Sequence, residues 1–179
     1  MVINNTANVS FQNETGILLN ASTTINTTVV TPCPFTITSS TILSVDYICP
    51  ATTVIVAGSN LTLDCAGKTI TYNTEGADAS FGIFASGRRN ITIQNCVIKD
   101  TNASGMLGTG INLTLVNLST IINNTIFTNG TNNSYGISIT VRANNNTIEN
   151  NTIMTFGIQI NNYGVSLETA SVFNRIANN

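Results

Sequence analysis

YGISITVRANNNTIENN (Tyr135–Asn151) lies without a gap over YGVSLETASVFNRIANN (Tyr163–Asn179), 28 residues further on. The same frame runs back towards the N-terminus. ITIQNCVI (Ile91–Ile98) matches TIINNTI (Thr120–Ile126), which matches NTIENNTI (Asn146–Ile153). One marker, an isoleucine, recurs at Ile70, Ile98, Ile126 and Ile153, in steps of 28, 28 and 27. A second, glycine followed by an apolar residue, recurs at Gly82-Ile83, Gly110-Ile111, Gly136-Ile137 and Gly164-Val165. A third is the apolar position at Ile91/Ile93, Ile121, Ile148 and Ile176. A unit this short cannot enclose a core alone, so neighbouring copies must stack to bury one.

Each period holds three short segments in which apolar residues alternate with Thr, Ser or Asn, the period-two pattern of strands. Gly, Asn and Ser clusters separate them, as turns require. Helical repeats would need apolar spacings of three and four and good helix formers, whereas β-branched residues dominate here. Three strands per period predict an all-β parallel β-helix whose coils rise by about 4.8 Å, the inter-strand spacing. Asn95, Asn123, Asn150 and Asn178 share one corner of successive coils. Their amides are expected to form a ladder of side-chain hydrogen bonds along the solenoid.

The chain resembles the right-handed parallel β-helix repeat family of the pectate-lyase-like superfamily, and most of all its non-catalytic cell-surface proteins from archaea and bacteria. The most specific stretch is FTITSSTILSVDYICPATTVIVAGSNLTLDCAGKTI (Phe35–Ile70), with Leu63, Asp64, Gly67, Thr69 and Ile70 in the family's "LDxxGxTI" pattern. The resemblance covers about Phe35 to Asn179. It implies the fold strongly and the function weakly, because one scaffold carries lyases, hydrolases, adhesins and inert stalks.

Charged residues make up only 8% of the chain, and Lys plus Arg number six, so no basic stripe is available for nucleic acid. No run approaches the roughly 18 apolar residues of a spanning helix. The opening MVINNTANVS lacks the character of a signal peptide, so an exported protein would be read here as a mature form or a fragment. Hydration by sugar would fit so uncharged a surface. There are 15 Asn-x-Ser/Thr sequons, about twice the number that 28 Asn and 43 Ser plus Thr give by chance. Turn and loop sequons at Asn60, Asn90, Asn102, Asn117, Asn129 and Asn132 are the expected glycan sites. Asn123 and Asn150 are expected to stay bare inside the ladder.

Four cysteines allow three pairings. Cys65 and Cys96 end equivalent strands on adjacent coils, where Cα atoms lie within disulfide reach. Spacing therefore favours Cys65–Cys96 and Cys33–Cys49, with buried free thiols as the alternative. No cysteine cluster has zinc spacing, so neither a metal nor a cofactor is expected.

The chain has no histidine, which removes imidazole acid–base chemistry. Its acids fall in different columns. Asp64 aligns with Gln94, Asp100 with Thr128 and Thr155, and Glu149 with Ala177. No carboxylate pair of the kind used in glycoside hydrolysis is built. Glu75 and Asp78 share a loop and read as solvated, and Arg88 and Arg89 read as solubilising turn residues. Tyr135 and Tyr163 share a column, and ring packing is preferred there to a sugar platform.

Two segments are expected: an N-terminal strand-rich extension (1–34) and a β-helix (35–179). Val2–Val30 resembles one loose coil, hung on the stiff link Thr31-Pro32-Cys33-Pro34. The repeat meanwhile breaks off at Asn178-Asn179 just before another strand is due. Donation of the extension to a neighbouring subunit would place Ile3, Ile17, Leu19 and Val29 in that subunit's core. The alternative is a first coil on its own chain. The expected function is structural: an extracellular, glycosylated β-helix that polymerises head to tail. Carbohydrate binding or cleavage is the main alternative, and a Thr-rich ice- or surface-binding face a weaker one.

Overall fold

In the computed structural model, residues 2–12, 18–28, 32–76, 79–102, 107–157 and 159–179 are described. They contain strands and turns, with no helix among them. The chain divides into two units, residues 1–32 and 33–179.

The first unit holds β1 (Val2–Gln12) and β2 (Leu18–Thr28), paired antiparallel from Val2↔Thr28 to Gln12↔Leu18. The coil-like motif of the sequence is thus not a coil. A lone coil would leave its backbone N–H and C=O groups unpaired, whereas a hairpin pairs them within the segment.

The second unit is the β-helix. Its coils are β3 (Phe35–Ile37), β4 (Thr41–Ile42), β5 (Tyr47–Ile48); β6 (Val54–Val56), β7 (Leu61–Asp64), β8 (Thr69–Tyr72); β9 (Phe81–Ser86), β10 (Ile91–Gln94), β11 (Val97–Asp100); β12 (Thr109–Thr114), β13 (Thr120–Ile122), β14 (Thr125–Thr128); β15 (Tyr135–Thr140), β16 (Thr147–Glu149), β17 (Thr152–Thr155); and β18 (Tyr163–Leu167), β19 (Arg175–Ala177). Stacking gives three parallel sheets. The first runs β3-β6-β9-β12-β15-β18, the second β4-β7-β10-β13-β16-β19 and the third β5-β8-β11-β14-β17.

The register follows the sequence markers. Ile70, Ile98, Ile126 and Ile153 are paired in one column of the third sheet. The first three are fully buried, while Ile153, on the edge strand β17, packs against the core and is partly buried. Ile93, Ile121, Ile148 and Ile176 align in the second sheet. Ile83, Ile111, Ile137 and Val165 align in the first.

The corners are built from a two-residue device. One residue takes a left-handed φ and turns the chain; the next points inward and caps the neighbouring coil. At the tight corner between the second and third sheets, Asn123 (φ 56°), Asn150 (55°) and Asn178 (54°) make the turn. The residues after them form the ladder. Asn124 Nδ2 donates to Asn151 Oδ1 at 2.9 Å, and Asn151 Nδ2 to Asn179 Oδ1 at 2.8 Å. The Asn124 backbone N–H donates to the same Asn151 oxygen. The ladder expected at Asn123 and Asn150 is therefore displaced by one residue. The reason is parity: two residues before the inward Ile126 and Ile153 lie Asn124 and Asn151, whereas Asn123 and Asn150 face solvent. A parallel ladder runs through Ser119, Asn146 and Asn174 at the corner between the first and second sheets.

Both expected disulfides are formed, Cys33–Cys49 and Cys65–Cys96. Cys96 occupies the ladder column, since its backbone N–H donates to Asn124 Oδ1 at 3.0 Å. The covalent link of the early coils and the amide ladder of the later ones thus share one corner.

Candidate functional site

The outer face of the first sheet carries a groove of about 290 Å³. Register places Phe81, Thr109, Tyr135 and Tyr163 in one column across four strands. The Tyr135 and Tyr163 rings stack, with centroids 6.0 Å apart and planes at 7°. Phe81 stacks on Phe84 at 5.3 Å. Ser138 and Glu168 line the groove beside Tyr135. Glu168 accepts from Ser166 Oγ at 2.7 Å. Burial and then the Glu168 charge raise the pKa of the Tyr135 phenol. Ring faces with hydroxyls and one carboxylate can hold a flat polar ligand. A lone carboxylate is not the pair that glycoside hydrolysis uses. The stacking of Tyr135 on Tyr163 follows the sequence reading, but the groove was missed. Glu168 joins it from the next coil, beyond the reach of any local motif.

A second polar cluster lies inside the solenoid. Asp100 pairs in register with Tyr72, and both are buried. Asp100 Oδ1 accepts from Asn73 Nδ2 at 3.1 Å and from the Asn102 N–H at 3.1 Å. Asn73 Oδ1 and the Tyr72 hydroxyl are buried without hydrogen-bond partners among the described residues, and the Asp100 carboxylate draws further on the Asn129 N–H. Burial raises the Asp100 pKa above the usual carboxylate value, against the opposing hydrogen bonds. Burial first, and then the Asp100 charge, push the Tyr72 phenol up as well. At the corner outside, Asp64 is the reverse case. The Ala66 N–H, then Gln94 and Asn95, stabilise its carboxylate and lower its pKa.

The remaining sequence-predicted residues scatter. Asn60 and Asn90 are exposed, with Asn90 Nδ2 donating to Asn60 Oδ1 at 3.1 Å. Asn117 Oδ1 accepts from the Asn144 N–H at 2.8 Å. Asn102 lies against Gly76, Asn129 is half-buried, and Asn132 has a buried Oδ1. Asn123 and Asn150, expected to be bare because buried, are instead exposed. Ile3 and Leu19 lie on β1 and β2, while Ile17, Val29 and Asp78 fall outside the described residues. No group of three or more metal-ligating side chains occurs among the described residues, and no described helix is long and apolar enough to cross a membrane.

The last coil differs from those before it. Leu167 and Ile176, in register with the fully buried Ile139 and Ile148, are 44% and 43% exposed.

The description "Right handed beta helix region" fits residues 15–179, most of the chain, which therefore belongs to the right-handed β-helix family. No curated protein and no solved structure matches it.

Proposed function

We propose that this β-helix is a structural, extracellular glycoprotein without catalytic turnover, and that its subunits assemble head to tail into a filament or surface layer. The observation that carries the reading is the continuous stack of coils in three parallel sheets, pinned by two disulfides. In the 179-residue chain the inward side chains of the last coil keep the core pattern yet stand exposed, and β17, β18 and β19 are edge strands. Exposed parallel edges recruit further strands. The proposed source is a second subunit, which would receive the β1–β2 hairpin at its edge. Such a contact is heterologous, so it repeats into an open filament unless it closes into a ring. Two disulfides support an oxidising compartment. The amide nitrogens of Asn60, Asn123 and Asn150 suit glycans better than that of Asn90, which donates to Asn60 Oδ1.

Electron microscopy and sedimentation of the purified 179-residue chain test this. Filaments or rings are expected from the whole chain, and monomers after deletion of residues 1–31. A whole chain that stays monomeric sinks the assembly. Filaments from the truncated chain would show that the donated segment is not the joint.

Carbohydrate binding is the second reading, favoured by the aromatic groove of Phe81, Tyr135 and Glu168. Polysaccharide binding that is lost in Tyr135→Ala, with assembly intact, would select it.

A further inference from the structure

At the corner between the first and second sheets the chain makes choices that neither conformation nor hydration favours. The turning slot before the second sheet is filled in successive coils by Asn60, Asn90, Leu118, Asn145 and Phe173, all with φ between 52° and 58°. Asn suits left-handed φ because its short polar side chain can bond locally. Leu and Phe gain nothing there, yet Leu118 is 60% exposed and Phe173 82%. The start of the same corner repeats the anomaly. Where one coil has Gly87, the next two have Leu115 (φ 55°) and the β-branched Val141 (φ 56°), both exposed. Such residues are strained and badly hydrated together, and observed strain is a pointer to function.

These side chains form one rigid ridge. The Leu118 N–H donates to Asn144 O, Asn145 N–H to Val172 O, and Leu115 N–H to Thr140 O. Neighbouring coils are about 4.8 Å apart, so four consecutive corners give a ridge roughly 15 Å long. Val116 and Ala143 pack beneath it in the core. The ridge also holds the exposed Arg89 and Arg142, two of the six cationic side chains in the protein, while Arg88, in the column of Val116, has its Nε buried. Glu168, which follows β18 in the last coil, accepts from Ser166 Oγ and lines the groove. A second copy meeting this ridge with its own would bring arginines together.

We propose that this corner docks on an anionic lipid surface. Leu115, Leu118, Val141 and Phe173 would enter the boundary between headgroups and chains, and Arg89 and Arg142 would meet the lipid phosphates. Apolar side chains flanked by cations are the combination that holds a peripheral protein on an acidic bilayer. Only Phe173 of this ridge belongs to the last coil, whose edge is invoked for assembly; Leu115, Leu118 and Val141 lie on earlier coils.

The test uses the full chain, prepared in a host that adds no glycans, floated with vesicles on a density gradient so that filaments sink and lipid-bound protein rises. Retention is expected on phosphatidylcholine mixed with phosphatidylglycerol, weakening as salt rises, and much less on phosphatidylcholine alone. The double variant Leu118→Asn, Phe173→Asn should bind roughly tenfold more weakly. Its thermal stability should hold or rise, because Asn already serves this slot in sister coils. Arg142→Gln should flatten the salt dependence. No retention of the parent chain, or equal retention of the double variant, overturns the proposal. So does an oligomer that the double variant dissociates in the absence of lipid, which would assign the ridge to a second copy.

Discussion

Ile148 in the middle of the solenoid is fully buried, and Ile176, its register partner one coil later, is 43% exposed. The two have the same residue type, the same place in a coil and the same inward direction. The pair Ile139 and Leu167 repeats the contrast. In a globular core burial belongs to a position; here it belongs to a neighbour. Each coil supplies half the cover of the next, as the nearest-neighbour energetics of repeat proteins require. The interior and the last coil therefore provide paired sites at which the same substitution should have different effects.

The largest difference is expected at the glycine column Gly82, Gly110, Gly136 and Gly164. A Cβ on Gly110 would meet Ile126 Cγ2 and stand 2.6 Å from the Gly136 carbonyl oxygen, a contact with backbone that cannot swing away. At Gly164 the nearest atom would be Ile153 Cγ2 at an ordinary 3.8 Å. Gly110→Ala should lower stability by about 3 kcal/mol through overpacking. Gly164→Ala should change it by less than about 0.5 kcal/mol. Chemical denaturation followed by circular dichroism reads both. Equal losses would mean that the last coil is already covered in the isolated subunit. In the proposed filament the neighbour's backbone would close over Gly164, so Gly164→Ala should block assembly while leaving the monomer intact.

The amide ladder offers a smaller contrast. Asn151 Oδ1 accepts from the backbone N–H and the amide of Asn124, and its own amide donates to Ile121 O at 3.0 Å. Asn151→Ala strands these buried groups and should cost about 2–3 kcal/mol. Asn179 repeats the arrangement on Asn151 but is exposed, so water can replace it. Asn179→Ala should cost under about 1 kcal/mol. Similar losses at the two sites would remove the distinction between interior and end.

These columns differ in how plainly the sequence announces them. The inward isoleucines and the aligned glycines were legible because a single residue type recurs at each site. The disulfides were legible because LTLDC and ITIQNC end in register. The ladder was misplaced by one residue because Asn-Asn reads the same whichever member faces inward. Counting back by twos from Ile126 and Ile153 would have resolved it. The extension misled for another reason. Val2–Thr6 copies the Ile121–Thr125 pattern, but a pattern that stacks beside a neighbour pairs with its own chain when it has none. The aromatic groove was half legible, through Tyr135 and Tyr163, while Glu168 enters only through three-dimensional stacking.

The finest contrast sets the interior Asp100 against the corner Asp64. Burial raises the Asp100 pKa in the folded chain, so between its unfolded and folded values the native state holds more protons than the unfolded state. Its contribution to stability is therefore favourable in acid and fades as pH rises through the folded pKa. For Asp64, with its pKa lowered first by the Ala66 N–H, the sign reverses: its contribution is present above the unfolded pKa and is lost as pH falls through the folded one. The two slopes oppose each other in the parent protein. Asp100→Asn keeps the shape and removes the buried charge, so it should raise stability at neutral pH by on the order of 1 kcal/mol, the scale set by one buried polar group. It should also leave a profile that falls more clearly in acid, because only Asp64 of the pair still titrates. Denaturation midpoints across the acid range check this. A variant less stable than the parent at neutral pH would mean that the hydrogen bonds from Asn73 and from the Asn102 and Asn129 N–H groups outweigh the burial of the Asp100 charge.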